Sequence, residues 1–169
     1  MAGDAAPIPM EVVGVRVELP SNQPIVLLRE EGGTRYLPIW IGASEATAIA
    51  TAMEGVEPPR PLTHDLMRSI IDAVGALPIS VVITEMRESI FFADLALEVS
   101  GKETKVSSRP SDAIALAVRT GTPVFASASV LDEAAVHFED DDEEEEVARF
   151  REFLEEVTVE DFLGGEQGS

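Results

Sequence analysis

The sequence predicts an α+β or mixed α/β fold, in which a largely antiparallel mixed sheet packs against about three helices. Segments with alternating apolar and polar residues recur along the chain, and they are typical of strands with one buried face. Alanine-rich segments that follow turns predict closely packed helices. The 169 residues, 45% of them apolar, suffice for one core. We therefore expect one domain over residues 1–138, followed by an acidic linker and an amphipathic helix over residues 139–169.

The first three strands are predicted from alternation and from the turns between them. Residues 13–19 alternate apolar and polar side chains, and the two prolines of residues 20–24 then turn the chain. Residues 25–28 form a short apolar run, Glu30-Glu31-Gly32-Gly33 is a hairpin turn, and residues 35–41 return. An antiparallel meander follows from this order.

Two helices are expected after this meander. The first begins at Gly42-Ala43-Ser44 and ends near Gly55, because the prolines of residues 58–61 cannot continue a helix. Thr63 is expected to cap the second helix. Its apolar positions recur at helical spacing: Leu66, Met67, Ile70, Ile71 and Val74.

Two further strands, at residues 79–83 and 91–99, flank a hairpin tip at Arg87-Glu88-Ser89. Residues 105–107 then lead into a third helix that Gly121 ends, and residues 123–126 form a last short strand.

The segment Arg109 to Ala117 combines a strand exit with a helix start. Pro110 disfavours a helical backbone at Arg109, and Ser111 is expected to cap a helix that opens at Asp112. A helix N-terminus beside an arginine could hold an anion. The alternative is that Ser111 and Asp112 only cap a buried helix and complement its dipole.

A short internal sequence repeat supports a special role for this segment. Residues 44–50 repeat the order of residues 111–117: a hydroxyl, an acid, Ala, any residue, Ala, a large aliphatic residue and Ala. We expect the two helix starts either to face one cleft or to belong to a pseudo-symmetric core.

Charge argues against tight nucleic-acid binding. The net charge is −20, and residues 139–169 contribute 14 acids against 2 arginines, which leaves 18 acids against 10 basic residues in the rest. Nucleic-acid binders usually show a basic footprint. A small cleft could still be locally positive through arginines at four positions: Arg60, Arg68, Arg109 and Arg119.

The chain contains two histidines and no cysteine. The absence of cysteine excludes disulfides and fits a reducing, cytoplasmic setting. It shows neither a membrane-spanning run nor a signal peptide, so we expect no membrane partner.

Four blocks of the sequence resemble the bifunctional nuclease domain family, in a form similar to actinobacterial members. They are Leu37-Pro38-Ile39-Trp40-Ile41-Gly42 with Ser44-Glu45-Ala46, then Pro58 to Leu66, Phe91-Phe92-Ala93, and Arg109 to Ala117. The resemblance covers roughly residues 10 to 135. It implies a mixed α/β domain, a homodimer or higher homo-oligomer, and activity on both DNA and RNA.

Candidate catalytic residues follow from the chemistry of phosphodiester hydrolysis, which needs an activated nucleophile and charge neutralisation on the phosphate. His64 is the candidate acid/base and Asp65 its orienter or a metal ligand, while Asp112 is a further catalytic candidate. The alternative is that His64 and Asp65 are ordinary residues of a first helical turn.

Candidate binding residues lie at the same helix starts. Arg60 and Arg109, with Ser111, are expected to bind phosphate. The alternative is that the two arginines only hold loops in place through carboxylates or carbonyls. Glu45 and Asp112 are candidate ligands for a divalent cation such as magnesium, unless they only complement helix dipoles.

Two aromatic residues of the third strand, Trp40 and Tyr36, could stack on bases or fill a core or interface. Two functions therefore remain open. One is a nuclease acting on DNA and RNA, and the other is a non-catalytic homo-oligomeric module that binds protein partners.

Overall fold

Residues 5–137 are described by the structure, a computed structural model. The expected linker and helix of residues 139–169 lie outside the described residues. Strands and helices alternate along the chain as follows: β1 (Ile8–Glu18), β2 (Gln23–Glu30), β3 (Arg35–Trp40), α1 (Ala43–Met53), α2 (Thr63–Ala73), β4 (Leu77–Arg87), β5 (Ile90–Val99), β6 (Lys102–Ser108), α3 (Pro110–Thr120), β7 (Val124–Ala126), α4 (Ala128–Ala134) and β8 (Val136–His137).

The described strands form one eight-stranded sheet in the order β6-β5-β4-β7-β1-β2-β3-β8. Two antiparallel meanders, β1-β2-β3 and β4-β5-β6, are joined through β7, which pairs parallel to β4 and antiparallel to β1. This α+β architecture confirms the predicted fold class and the first meander.

The tip of the β4–β5 hairpin lies where the sequence predicts it. Glu88 and Ser89 both have positive φ values, 51° and 65°. Two such residues form the tight turn whose twist matches the flanking strands. The turn brings Ile90 and Phe91 to the same end of the sheet as the start of α3, where they line a common cleft.

Small residues let two helices pack closely on the sheet, as the sequence predicts. Ala46 and Ile49 of α1 and Ala113, Ile114 and Ala115 of α3 are each at most 1% exposed and belong to one core cluster. A methyl side chain adds little distance between backbones. The starts of α1 and α3 are therefore held near each other.

The predicted caps of two helices are wrong. Helix α3 begins at Pro110, with Arg109 as its N-cap, so Ser111 is already inside the helix and makes no capping hydrogen bond. The helix starts early because proline has no N–H to satisfy and its φ is preset for the first helical position. Leu62, not Thr63, is the N-cap of α2, and Asp65 Oδ2 accepts a hydrogen bond from its backbone N–H.

Helix α4 is absent from the sequence-based prediction of three helices. It has seven residues, and Ser127 Oγ accepts a hydrogen bond from the backbone N–H of Val130 at 3.3 Å. So short a helix shows little periodicity, although Ser127 was a usable start signal.

The apolar stripe of α2 divides into two rows. Met67 and Ile71 pack against the core. Leu66, Ile70 and Val74 are 50%, 54% and 69% exposed. Among residues 5–137, no helix combines the length and the apolar character needed to cross a membrane.

Candidate functional site

The first three helices share one feature at their N-termini. The third residue of each is acidic: Glu45 in α1, Asp65 in α2 and Asp112 in α3. An acid in the first turn is favoured by the partial positive charge of the helix N-terminus. Since α3 packs against both α1 and α2, the three acids lie in one region of the molecule.

Arg109 connects α1 to α3. Its Nε and Nη2 donate to Asp112 Oδ2 and Oδ1 at 2.8 and 3.1 Å, and its Nη1 donates to Glu45 Oε1 at 3.0 Å. The first two bonds form the planar fork that guanidinium and carboxylate groups favour. The Arg109 side chain is nevertheless 64% exposed, so the cation is oriented without being buried.

His64 contacts the same carboxylate from the protein interior. Its Nε2 lies 2.9 Å from Asp112 Oδ1, and its side chain is only 9% exposed. Burial disfavours the ionised form of Asp112, but hydrogen bonds from Arg109 and His64 outweigh burial and hold its pKa below the ordinary value. Asp112 is therefore an ionised group between a buried imidazole and an exposed guanidinium.

Asp65 belongs to a different contact from its neighbour His64. Its Oδ1 accepts from Arg119 Nε at 2.8 Å, and its Oδ2 accepts from the backbone N–H of Leu62 at 3.0 Å. Burial opposes its ionisation, yet these bonds keep its pKa below the ordinary value. Arg119 is 5% exposed and also donates to the carbonyl of Ala115. Sequence reasoning missed this pair because 54 residues separate its members.

An open cleft of about 510 Å³ lies beside Arg109. Its polar lining includes Glu45, Arg109 and Ser111, so the two similar helix starts do face one cleft. His64, Asp65 and Asp112 lie outside its lining. Apolar side chains form much of the remaining wall, among them Pro24, Ile39, Trp40, Ile90 and Phe91.

Gly42 makes room for the carboxylate of Glu45. A Cβ atom at position 42 would overlap Glu45 Oε2. The glycine is the N-cap of α1, with an extended backbone that any residue could adopt, and the atom that a Cβ would meet is the flexible end of the Glu45 side chain, so another residue here would displace that carboxylate. The sequence contained this signal, a glycine three residues before the acid, but did not reveal its purpose.

The other predicted binding residues differ in exposure. Ser111 is 6% exposed, although it lines the cleft. Arg60 is exposed and lies outside the cleft lining. The structure thus brings together His64, Asp112, Arg109 and Glu45, while Asp65 turns to Arg119.

Residues 26–139 match the bifunctional nuclease domain, which is well over half of the chain. The chain belongs to the bifunctional nuclease domain family. An uncharacterized protein of Mycobacterium tuberculosis is 49% identical over 161 residues, which are 90% of this chain and 96% of that protein.

Plant members of the family are more distant. Bifunctional nuclease 2 of Arabidopsis thaliana is 32% identical over 112 residues, or 63% of this chain, and bifunctional nuclease 1 of Oryza sativa is 30% identical over 103 residues, or 59% of this chain. The matched regions span 34% and 31% of these plant proteins.

In this family member, the two predicted metal ligands are held by an arginine. Glu45 and Asp112 both bind Arg109. Within residues 5–137, no group of three or more histidine, cysteine, aspartate or glutamate side chains is placed to hold a metal ion. Magnesium is often bound through only one or two carboxylates together with substrate phosphates. Glu45 is the cleft-lining carboxylate available for that mode of binding.

Proposed function

We propose that this protein hydrolyses phosphodiester bonds in DNA and RNA, at the cleft where α1 and α3 begin. The single observation that carries the proposal is the exposed guanidinium of Arg109, held at the cleft by carboxylates from two helices. Membership of the bifunctional nuclease domain family supports the class of reaction.

Arg109 is the proposed phosphate contact. A guanidinium has five N–H donors, of which the contacts with Asp112 and Glu45 use three. Two donors are therefore left for the oxygens of a phosphate in the cleft. The N-termini of α1 and α3 add their dipoles to the same region, which favours an anion there.

Glu45 is the proposed group that activates water. Its carboxylate lines the cleft beside Arg109, so it could accept a proton from a water whose oxygen attacks the phosphorus, while the bond from phosphorus to the leaving nucleotide oxygen breaks and that oxygen takes a proton from solvent. If a magnesium ion is used, Glu45 would be the residue that holds it, and the metal would supply Lewis-acid chemistry that lowers the pKa of bound water.

His64 and Asp112 are assigned a positioning role in place of the expected catalytic one. The imidazole is buried, its Nε2 is engaged by Asp112, and both residues lie behind Arg109. His64 fixes the carboxylate of Asp112, and that carboxylate orients the guanidinium of Arg109. Asp65 acts at a further remove, since its bond to Arg119 holds the helix that carries His64.

The test is cleavage of labelled single-stranded DNA and RNA, with magnesium or with EDTA. The wild type is compared with Arg109→Met and with Glu45→Gln, each purified identically. Arg68→Met is the matched control, because Arg68 is an exposed arginine of α2 that lies outside the cleft lining. We expect both cleft variants to lose at least tenfold in rate and the control to lose little. Equal rates in all four proteins would indicate a contaminating nuclease and contradict the proposal.

A second function is favoured by the surface of α2. Leu66, Ile70 and Val74 form an exposed apolar row, which is unusual on a monomer and typical of an interaction surface. In this alternative the protein is a non-catalytic homo-oligomeric module, and a cytoplasmic location is expected for either function. Sedimentation of the wild type and of Ile70→Lys tests it, because an oligomer that uses this row should dissociate in the variant.

A further inference from the structure

We propose that Trp40 is a stacking platform for an unpaired nucleobase, so that the cleft accepts single-stranded DNA or RNA in preference to a duplex. This inference rests on the proposed function and names the form of its substrate. It concerns the apolar wall of the cleft, to which the hydrolytic chemistry assigns no purpose.

The apolar wall faces solvent to an unusual degree. Trp40 is 51% exposed and Ile90 is 60% exposed, and Phe91 lies beside them. Large aromatic side chains are mostly buried in folded proteins. Tyr36, on the same strand, is 1% exposed and shows the core role that Trp40 does not have. An exposed indole in the apolar wall of a cleft that also contains a guanidinium is typical of a surface that binds a flat ligand.

The indole of Trp40 is held in place without being covered. Its Nε1 donates to Glu18 Oε2 at 2.8 Å, which joins the end of β3 to the end of β1. The hydrogen bond uses the only polar atom of the ring. A ring that is oriented before binding loses little entropy when a base stacks on it.

An unpaired nucleotide fits the two walls of this cleft. A volume of about 510 Å³ is within the range of small-molecule sites, roughly 300–1,000 Å³. The phosphate would meet Arg109 while the base lies on Trp40, and the side-chain amide of Gln23, which also lines the cleft, can donate to or accept from the base edge. In a duplex the faces of the bases are covered by their neighbours, so a paired base cannot reach the indole.

Stacking also explains how an acidic protein could bind an acidic substrate. Arg109 is the cationic residue of the cleft lining, and Glu45 lies beside it. Binding through many phosphates is therefore unavailable there. Every base has a π-face, so stacking tolerates any sequence and does not distinguish DNA from RNA. We expect a weak salt dependence, with a slope of about 0.7 in log Kd against log salt, as one phosphate contact gives on a single strand.

The fluorescence of Trp40 reports this contact directly, because it is the single tryptophan of the chain. The full-length protein is titrated in EDTA with a ten-nucleotide oligodeoxythymidylate, with an abasic strand of the same length, and with the corresponding duplex. We expect saturable quenching by the single strand and little quenching by the other two. Equal quenching by the abasic strand would show that the protein contacts the phosphate and not the base. Equal quenching by the duplex would show that the cleft does not prefer a single strand. Either result overturns the inference.

Substitution of Trp40 supplies a second measurement. Binding of a labelled oligonucleotide, followed by anisotropy, should weaken about 5- to 150-fold in Trp40→Ala and remain close to the wild type in Trp40→Phe. Circular dichroism checks that both variants fold. Unchanged binding by a folded Trp40→Ala would overturn the inference. A change in the Trp40 emission of the free protein on dilution would also overturn it, because a second copy would then occupy the cleft.

The two proposals can fail separately. Cleavage without quenching would contradict the stacking role of Trp40 and leave the nuclease proposal standing. Quenching without cleavage by a protein of verified fold would support a single-strand binding site and contradict the nuclease proposal.

Discussion

Two pairs of aspartate and arginine, at the starts of α2 and α3, are built alike but differ in exposure. Asp65 and Asp112 are each the third residue of an eleven-residue helix, and each accepts a hydrogen bond of 2.8 Å from an arginine Nε. The side chain of Arg119 is 5% exposed, whereas that of Arg109 is 64% exposed. The same local chemistry therefore serves packing in one place and, in the function proposed above, presents an exposed cation to a ligand in the other.

Exposure decides what each pair contributes to stability. An exposed ion pair contributes about 0–1 kcal/mol, because water screens it and its side chains lose entropy. Removal of one partner from a buried pair costs about 3–5 kcal/mol, because a charge is left without compensation. The pair of Asp65 and Arg119 should thus matter most for folding, and the pair of Asp112 and Arg109 most for ligand binding.

The largest effect is expected from Arg119→Met. It should lower the free energy of unfolding by about 3 kcal/mol, at the lower end of the range for buried pairs, because Asp65 keeps its bond to Leu62 and is 29% exposed. Urea denaturation followed by circular dichroism measures the change. Arg119→Lys retains the charge and should recover part of the loss. A loss below about 1 kcal/mol would show that the two pairs do not differ as proposed.

A smaller effect is expected from His64→Ala, which removes the buried partner of Asp112. The lost hydrogen bond and the cavity should together cost about 2 kcal/mol. His64→Gln retains a donor and should restore some of this stability. If cleavage by folded His64→Gln stays near the wild-type rate, His64 is confirmed as a positioning group, because glutamine cannot act as an acid or base at neutral pH.

Acid should weaken both pairs, in a defined direction. The folded protein lowers the pKa of Asp65 and of Asp112, so their contribution is fully present above the ordinary aspartate pKa of about 4. It is lost as the pH falls through the lower folded values. The difference in unfolding free energy between the wild type and Asp112→Asn should therefore shrink below pH 4. A difference that stays constant down to pH 2 would mean that Asp112 is not stabilised by its partners.

The smallest effect on stability is expected from Arg109→Met, the exposed counterpart of Arg119→Met. Its free energy of unfolding should change by less than about 1 kcal/mol. Cleavage should nevertheless fall at least tenfold, since the proposed phosphate contact is lost. Thermal melts and cleavage rates of the same preparation separate the two outcomes. A strongly destabilised Arg109→Met would place both arginines in the same structural role.

Much of the fold could be predicted from local patterns. The period-2 alternation of β1 and β5, the turn at Glu88-Ser89 and the alanines of α3 are each properties of a few adjacent residues. Boundaries were harder, because Pro110 favours the first helical position and moved the helix start ahead of Ser111. The exposed row of α2 also escaped prediction, since periodicity shows that a helix is amphipathic but not how much of its apolar surface is covered.

The sequence by itself determined β1 to β5 and β7, the three longer helices and an acid in the first turn of each, because these depend on neighbours along the chain; β6 and β8 were not predicted as strands. It also contained the internal repeat of residues 44–50 and 111–117. Only the tertiary structure decided that Arg109 joins Asp112 to Glu45, and that Asp65 bonds to Arg119 and not to its neighbour His64. These contacts join residues up to 64 positions apart, and their burial depends on how α3 packs against its neighbours. No local pattern encodes that packing.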